Sequence, residues 1–249
     1  MRTGLRRTRR LIALAGSLIL CLIPHLLWKA LGLRSPWPRR FLGLAARSAG
    51  ARPRIDGVPL KRDVFFIANH LSWIDILVLG AATGTAFIAH DGVERWPVVG
   101  WLAKQNGTIF VARTDRHKVR EQIGLLRTAI EGHQPVALFP EGTTGNGKAL
   151  LPFKPALLAG LMPPPRDLDI QPVWIDYGDA TGDIAWHGDE PAGANAMRLL
   201  GRKGALPVTL HFLTPFDPED FPDRKAVAEQ ARKRIASQQA ASLGGTGAV

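Results

Sequence analysis

Over most of this chain apolar residues come in short runs, each closed by polar or turn-forming residues. Residues 64–68 (Val-Phe-Phe-Ile-Ala), 86–89, 108–112, 136–139, 170–175 and 208–213 each read as a strand. Between them the spacing changes to that of helices. It is clearest over residues 118–131, where Val119, Ile123, Leu126 and Ile130 share one face with charges opposite. Residues 72–79 read as the helix that follows the first strand. Strands and helices taking turns predict an α/β domain over residues 51–240. Met162-Pro163-Pro164-Pro165-Arg166 marks a rigid surface loop, residues 224–239 a polar helix, and residues 241–249 a disordered tail.

The N-terminus follows another pattern. Residues 11–33 are nearly all apolar, after Arg2, Arg6, Arg7, Arg9 and Arg10 and before Arg34, Arg39 and Arg40. As a helix the run is long enough to cross a hydrocarbon core of about 30 Å. A secretory signal has a similar charge order, but no small-x-small cleavage site precedes the next basic stretch. Both flanks are basic, so the positive-inside rule gives no single-pass orientation. With Pro24 in the middle, the pattern predicts a helix, a break and a second helix, lying in the interface or dipping into one leaflet. Residues 1–50 are thus expected to associate with a membrane.

Composition then narrows the partners. The 249 residues, 46% of them hydrophobic, suit one sizeable domain with an N-terminal extension. A net charge of +11 would also suit nucleic acid. The charge gathers beside the apolar segment without a nucleic-acid motif, so anionic lipid head groups are the expected contact. The single cysteine, Cys21, cannot form an intramolecular disulfide, which fits a reducing, cytoplasm-facing location. His25, His90, His117, His133, His187 and His211 are scattered without ligand spacing, so no metal site is expected.

The chemistry gathers in two polar stretches, each after a strand-like run. Asn69-His70-Leu71-Ser72-Trp73-Ile74-Asp75 follows residues 64–68, which puts His70 at a sheet edge with Asp75 on the next helix. A carboxylate on one ring nitrogen orients an imidazole and stabilises the imidazolium formed when the other nitrogen takes a proton. Ser72 invites a Ser-His-Asp hydrolase reading, yet the Gly-x-Ser-x-Gly elbow is missing and a helix cap is the simpler role. The second stretch, Phe139-Pro140-Glu141-Gly142-Thr143-Thr144-Gly145, implies that the two loops share a cleft.

These residues resemble the glycerolipid acyltransferases of the lysophosphatidic acid acyltransferase type. Asn69, His70, Ser72 and Asp75 match their Asn-His-x-Ser-x-x-Asp motif. Residues 107–113 match Gly-x-Ile-Phe-Val-x-Arg, residues 139–143 match Phe-Pro-Glu-Gly-Thr, and residues 170–175 resemble a fourth motif, an apolar strand with Pro. The resemblance implies a mixed, largely parallel sheet flanked by helices, and transfer of an acyl group from acyl-CoA or acyl carrier protein to a lyso-lipid hydroxyl. His70 would be the base, Asp75 its partner, and Asn69, Ser72, Arg113, Glu141, Gly142 and Thr143 the substrate contacts. No cofactor beyond the donor is implied. The acceptor expected first is 1-acylglycerol-3-phosphate, giving phosphatidic acid. Thr144 stands where the family usually has Arg, which removes a charged fork suited to phosphate. Arg113, Arg116 and Lys154 are the remaining cations, and the Glu-Gly-Thr-Thr-Gly stretch also resembles family members that acylate other lyso-lipids, including lyso-ornithine lipid, the alternative acceptor. Residues 96–102, dense in Trp and Val, read either as core or as an acyl-chain wall or membrane-facing rim. A non-catalytic lipid binder of the same fold would not need both His70 and Asp75. The expected location is the cytoplasmic face of the inner membrane.

Overall fold

The structure is a computed structural model describing residues 2–112, 119–132, 134–186 and 188–244. In chain order its elements are α1 (Arg2–Ala30), α2 (Trp37–Ala49), β1 (Ala51–Asp56), β2 (Val64–Ala68), α3 (Trp73–Thr83), β3 (Ala86–His90), α4 (Asp91–Glu94), α5 (Val99–Gln105) and β4 (Ile109–Val111). There follow α6 (Val119–Glu131), β5 (Val136–Leu138), β6 (Asp169–Asp176), α7 (Thr181–Ile184), α8 (Ala192–Gly201), β7 (Leu206–Phe212) and α9 (Arg224–Gly244). The strands form one sheet in the order β1-β7-β6-β2-β5-β3-β4. Every pairing is parallel except β6 with β7, so the sheet is mixed and largely parallel, as expected.

β2 lies inside the sheet with all five residues buried, which is why it reads as a continuous apolar run. Its alternation feeds two cores. Phe66 and Ala68 pack with Ile74, Val78 and Leu79 of α3 and Leu199 of α8 on one face. Phe65 and Ile67 pack with Leu126 and Ile130 of α6 and with Val227, Ala231 and Ile235 of α9 on the other. The expected strands are all present. β1, Ala-Arg-Pro-Arg-Ile-Asp, was not expected. It lies at a sheet edge, paired only with β7, where a proline and outward charges are tolerated.

Two boundaries correct the sequence reading. α9 continues past Gln239 to Gly244, so residues 241–244 of the expected tail are helical, while 245–249 lie outside the described residues. The expected break at Pro24 is also absent, because α1 is one helix from Arg2 to Ala30 and the turn comes at residues 31–36. A proline removes its own N–H donor and crowds the carbonyl four residues before it, here that of Leu20, which kinks or breaks a helix unless packing holds it. Cys21 and His25, on either side of it, are buried against the rest of the protein and hold the helix through that point.

α1 is tied down at both ends. Arg6 Nε donates to Gly201 O (3.0 Å) and Arg7 Nε to Met197 O (2.8 Å). Arg10 donates to Leu199 O (3.0 Å) and Gly204 O (2.9 Å). Met197, Leu199 and Gly201 belong to the last turns of α8 and Gly204 to the loop after it, so the three guanidinium groups meet the carbonyl end of that helix, where cations are favoured. Toward the other end, the His25 ring bonds Ser35 Oγ (2.8 Å) and Gln105 Oε1 of α5 (3.1 Å). Arg10 and His25 are about 22 Å apart along the helix. α1 therefore lies along the domain, with Ile12, Ile19, Ile23 and Leu27 facing outward. Arg6, Arg7 and Arg10, expected at lipid head groups, bond the protein itself.

Candidate active site

β2 ends at Ala68, and the chain turns through residues 69–72 into α3. Ser72 is the N-cap, its Oγ accepting from Ile74 N at 3.4 Å. Asp75, at the third helical position, reaches back over the same turn. Its Oδ2 accepts from Leu71 N (2.6 Å), Ser72 N (2.8 Å) and His70 Nδ1 (2.9 Å). A helix-capping carboxylate is thus also the partner of the imidazole. Because a carboxylate only accepts, Nδ1 carries the hydrogen, and Nε2 is left with the lone pair that can take a proton. Asp75 is fully buried. The His70 ring keeps some exposure and stacks on Phe139, with centroids 4.2 Å apart and planes 14° apart.

Loops remote in sequence hold this turn. Glu141 is 3% exposed, with Oε1 accepting from His70 N (2.9 Å) and Oε2 from Leu151 N (3.0 Å). Burial raises its pKa above the usual carboxylate range, although both backbone N–H groups and the neighbouring His70 pull it down. Asn69 is buried, donating to Ile175 O (3.0 Å) and accepting from Ile175 N (2.7 Å), which fastens the end of β2 to β6. Gly145 N donates to His70 O (2.8 Å), and Trp186 N to Leu71 O (2.9 Å).

The expected substrate contacts therefore divide. In this structure Asn69, Ser72 and Glu141 are buried and engaged with backbone groups, which braces the turn that carries His70. The hydrolase reading of Ser72 falls, since its hydroxyl caps α3 instead of standing exposed. Gly142 and Thr143 do reach the rim. Gly142 has φ +70, and a Cβ there would sit 3.1 Å from Lys154 Nζ, so glycine leaves room for the ammonium over the loop. Thr143 is exposed beside it. Thr144 turns inward, its hydroxyl donating to Trp186 O. Arg113 and Arg116 lie outside the described residues. His90 Nδ1 accepts from Gly92 N (2.9 Å), a cap on α4.

One residue of the site went unread in the sequence. Tyr177, just past β6, is 1% exposed, and its hydroxyl donates to Asp75 Oδ1 at 2.5 Å. Burial first, then the charge of Asp75, pushes its pKa well above the usual tyrosine value, so the group remains a donor. Its distance of 102 residues from Asp75 leaves no local spacing to find it by.

Beside the site lies an apolar cavity of about 410 Å³. Its walls include Leu18 and Cys21 of α1, Phe41 of α2, Trp73 of α3, Phe87 of β3 and Trp101 of α5. Phe87 stacks on Phe139 (5.9 Å, 9°), which stacks on His70, so one aromatic row runs from the cavity wall to the imidazole. Trp96, Val99 and Leu102 also line it, while Trp96 and Trp101 are each 41% exposed. That combination fits a cavity wall and rim better than closed core.

The sequence pattern of the acyltransferase family matches residues 52–176. A lyso-ornithine lipid O-acyltransferase from Brucella abortus is 34% identical over 97% of this chain and 97% of its own length. The chain belongs to the acyltransferase family. A lyso-ornithine lipid O-acyltransferase from Rhodobacter capsulatus is 32% identical to this acyltransferase, over 95% of the chain and 89% of the relative. A 1-acyl-sn-glycerol-3-phosphate acyltransferase from Neisseria gonorrhoeae is 29% identical over 69% of the chain and 68% of the relative. The fold is that of the crystal structure of the 1-acyl-sn-glycerophosphate acyltransferase PlsC from Thermotoga maritima. The two superpose with a TM-score of 0.64 at 21% identity, over 95% of this chain and 97% of that one. The protein is thus an enzyme that transfers acyl groups to lyso-lipids. The family match runs from β1 to the end of β6 and stops one residue before Tyr177.

Proposed function

We propose that this acyltransferase is a lyso-ornithine lipid O-acyltransferase, with His70 as general base and an acyl thioester, acyl-CoA or acyl carrier protein, as donor. The carrying observation is that relatives described as lyso-ornithine lipid O-acyltransferases match nearly the whole chain, whereas the glycerol-3-phosphate relative matches 69% of it. Thr144, bonded to Trp186 O, brings no cation to the position where lysophosphatidic acid acyltransferases usually keep Arg. This ranks the acceptors in the reverse of the order the motifs alone suggested.

In this reading His70 Nε2 takes the proton of the acceptor hydroxyl as that oxygen bonds the thioester carbonyl carbon. The C–S bond then breaks, and the imidazolium returns its proton to the departing thiolate. Asp75 keeps the ring in the Nδ1–H tautomer and balances its transient charge. No acyl-enzyme forms and no metal or further cofactor is needed. The apolar cavity takes an acyl chain, and Gly142, Thr143 and Lys154 border the acceptor's polar end, with Arg113 as a further cation. α1 associates with the membrane that holds the acceptor. The cytoplasmic face of the inner membrane is the side where both donors are found.

Lysophosphatidic acid remains the second reading, favoured by Lys154 lying over Gly142 at the rim. The test is acyl transfer from a labelled thioester by membranes bearing wild type or His70→Ala, with lyso-ornithine lipid and lysophosphatidic acid offered separately. His70-dependent product from lyso-ornithine lipid is expected. Product from lysophosphatidic acid alone would reverse the assignment, and equal turnover by His70→Ala would remove the base.

A further inference from the structure

We infer that Tyr177 is a positioning residue of the acyl-transfer site, acting through Asp75 to keep the imidazole of His70 from holding its proton too tightly. The inference rests on the roles proposed above for His70 and Asp75. The two oxygens of Asp75 are used differently. Oδ2 accepts three N–H bonds, including that of His70, at 2.6 to 2.9 Å, and Oδ1 accepts the Tyr177 hydroxyl at 2.5 Å. A buried tyrosine needs an acceptor, and a backbone carbonyl would have sufficed. This one instead donates to the carboxylate that orients the base.

A hydrogen bond to a carboxylate disperses its charge and so weakens its pull on a neighbouring imidazolium. The proposed cycle needs that moderation, because His70 must accept a proton from the hydroxyl and then release it to the thiolate. The segment bearing Tyr177 is fixed at both ends. It follows β6, and Trp186 N closes it on Leu71 O at 2.9 Å. Among the described residues, the other charged or titratable groups at this turn are Asp75 on α3, Glu141 at the His70 backbone from the loop after β5, and Lys154 over Gly142 in the same loop region. Among those residues, the side chain that hydrogen-bonds Asp75 Oδ1 is Tyr177. The hydroxyl stays protonated at working pH, because burial and the charge of Asp75 oppose its ionisation.

Tyr177 is the only tyrosine in the chain, so biosynthetic 3,5-difluorotyrosine labels this position alone. Fluorination makes the phenol a stronger donor with little change in shape, whereas Tyr177→Phe removes the donor. The readout is the pH profile of kcat/KM with acyl-CoA and whichever lyso-lipid wild type accepts, beside thermal melts and His70→Ala. Tyr177→Phe is expected to move the acid limb to higher pH by roughly half a unit. The fluorinated enzyme is expected to move it lower. If the fluorinated enzyme, and Tyr177→Phe where it folds, keep the wild-type acid limb and differ only in melting temperature, Tyr177 is structural and the inference is overturned. If His70→Ala is as active as wild type, the site assignment itself has failed, and this inference falls with it.

Discussion

A general base contributes on the order of 10²- to 10⁴-fold to rate. His70→Ala should lose about that much in kcat while melting like wild type, and Asp75→Asn should lose rate as well as stability. The difference arises because Asp75 Oδ2 also accepts two backbone N–H groups of the α3 turn. Circular-dichroism melts beside initial rates would separate the two. Glu141 makes a sharper case. Glu141→Gln puts an NH₂ against the N–H of either His70 or Leu151, which should cost about 1–3 kcal/mol of stability and lower kcat with little change in the lyso-lipid KM. A rise in KM alone would make Glu141 a substrate contact. Its raised folded-state pKa also has a sign. Its contribution to stability is fully present below the ordinary glutamate value and is lost as pH rises through the higher folded value. At residue scale, His70, Asp75 and Ser72 were legible because their relationship is contained within one turn. The backbone bonds of Asn69 and Glu141 were not legible, since their partners Ile175 and Leu151 lie elsewhere in the chain. Tyr177 had no local signal.

The central strands were legible because burial on both faces makes them unbroken apolar runs. β1 was not, since an edge strand needs only one partner and can carry Arg52, Pro53 and Arg54. α1 shows the converse, a local signal overruled by packing. Pro24 reads as a break, yet the helix runs through it with Cys21 and His25, on either side, buried against the rest of the protein. The protein contacts of Arg6, Arg7 and Arg10 went unread for a related reason, because composition cannot say whether an arginine faces lipid or the carbonyl end of a helix. Arg10→Met tests that assignment. It keeps the apolar stem and removes the donors to Leu199 O and Gly204 O, so it should destabilise the protein by about 1–3 kcal/mol, read as a lower Tm. Arg9→Met, at an exposed neighbour, should leave Tm unchanged. Equal effects of the two would return Arg10 to the lipid-facing group.

Across the whole molecule, the proposed membrane contact and the proposed reaction site share a wall. The outward side of α1 carries the exposed apolar stripe, while Leu14, Leu18, Cys21 and Leu22 on its inner side line the cavity next to the aromatic row that ends at His70. Deleting the N-terminus would therefore remove the proposed anchor and one side of the cavity together, and could not assign a loss of activity to either. Ile19 and Ile23 separate the two functions. They are 61% and 60% exposed and absent from the cavity lining, so charges there should leave the fold and cavity intact. The double substitution Ile19→Glu, Ile23→Glu should release the enzyme from anionic phospholipid vesicles in a flotation assay, because it places two carboxylates where the helix would meet acyl chains and negative head groups. Turnover of a lyso-lipid presented in detergent micelles should stay within a few-fold of wild type. Continued vesicle binding would show that α1 is not what holds the enzyme to the membrane, and lost micellar turnover would show that its outward side serves the site directly.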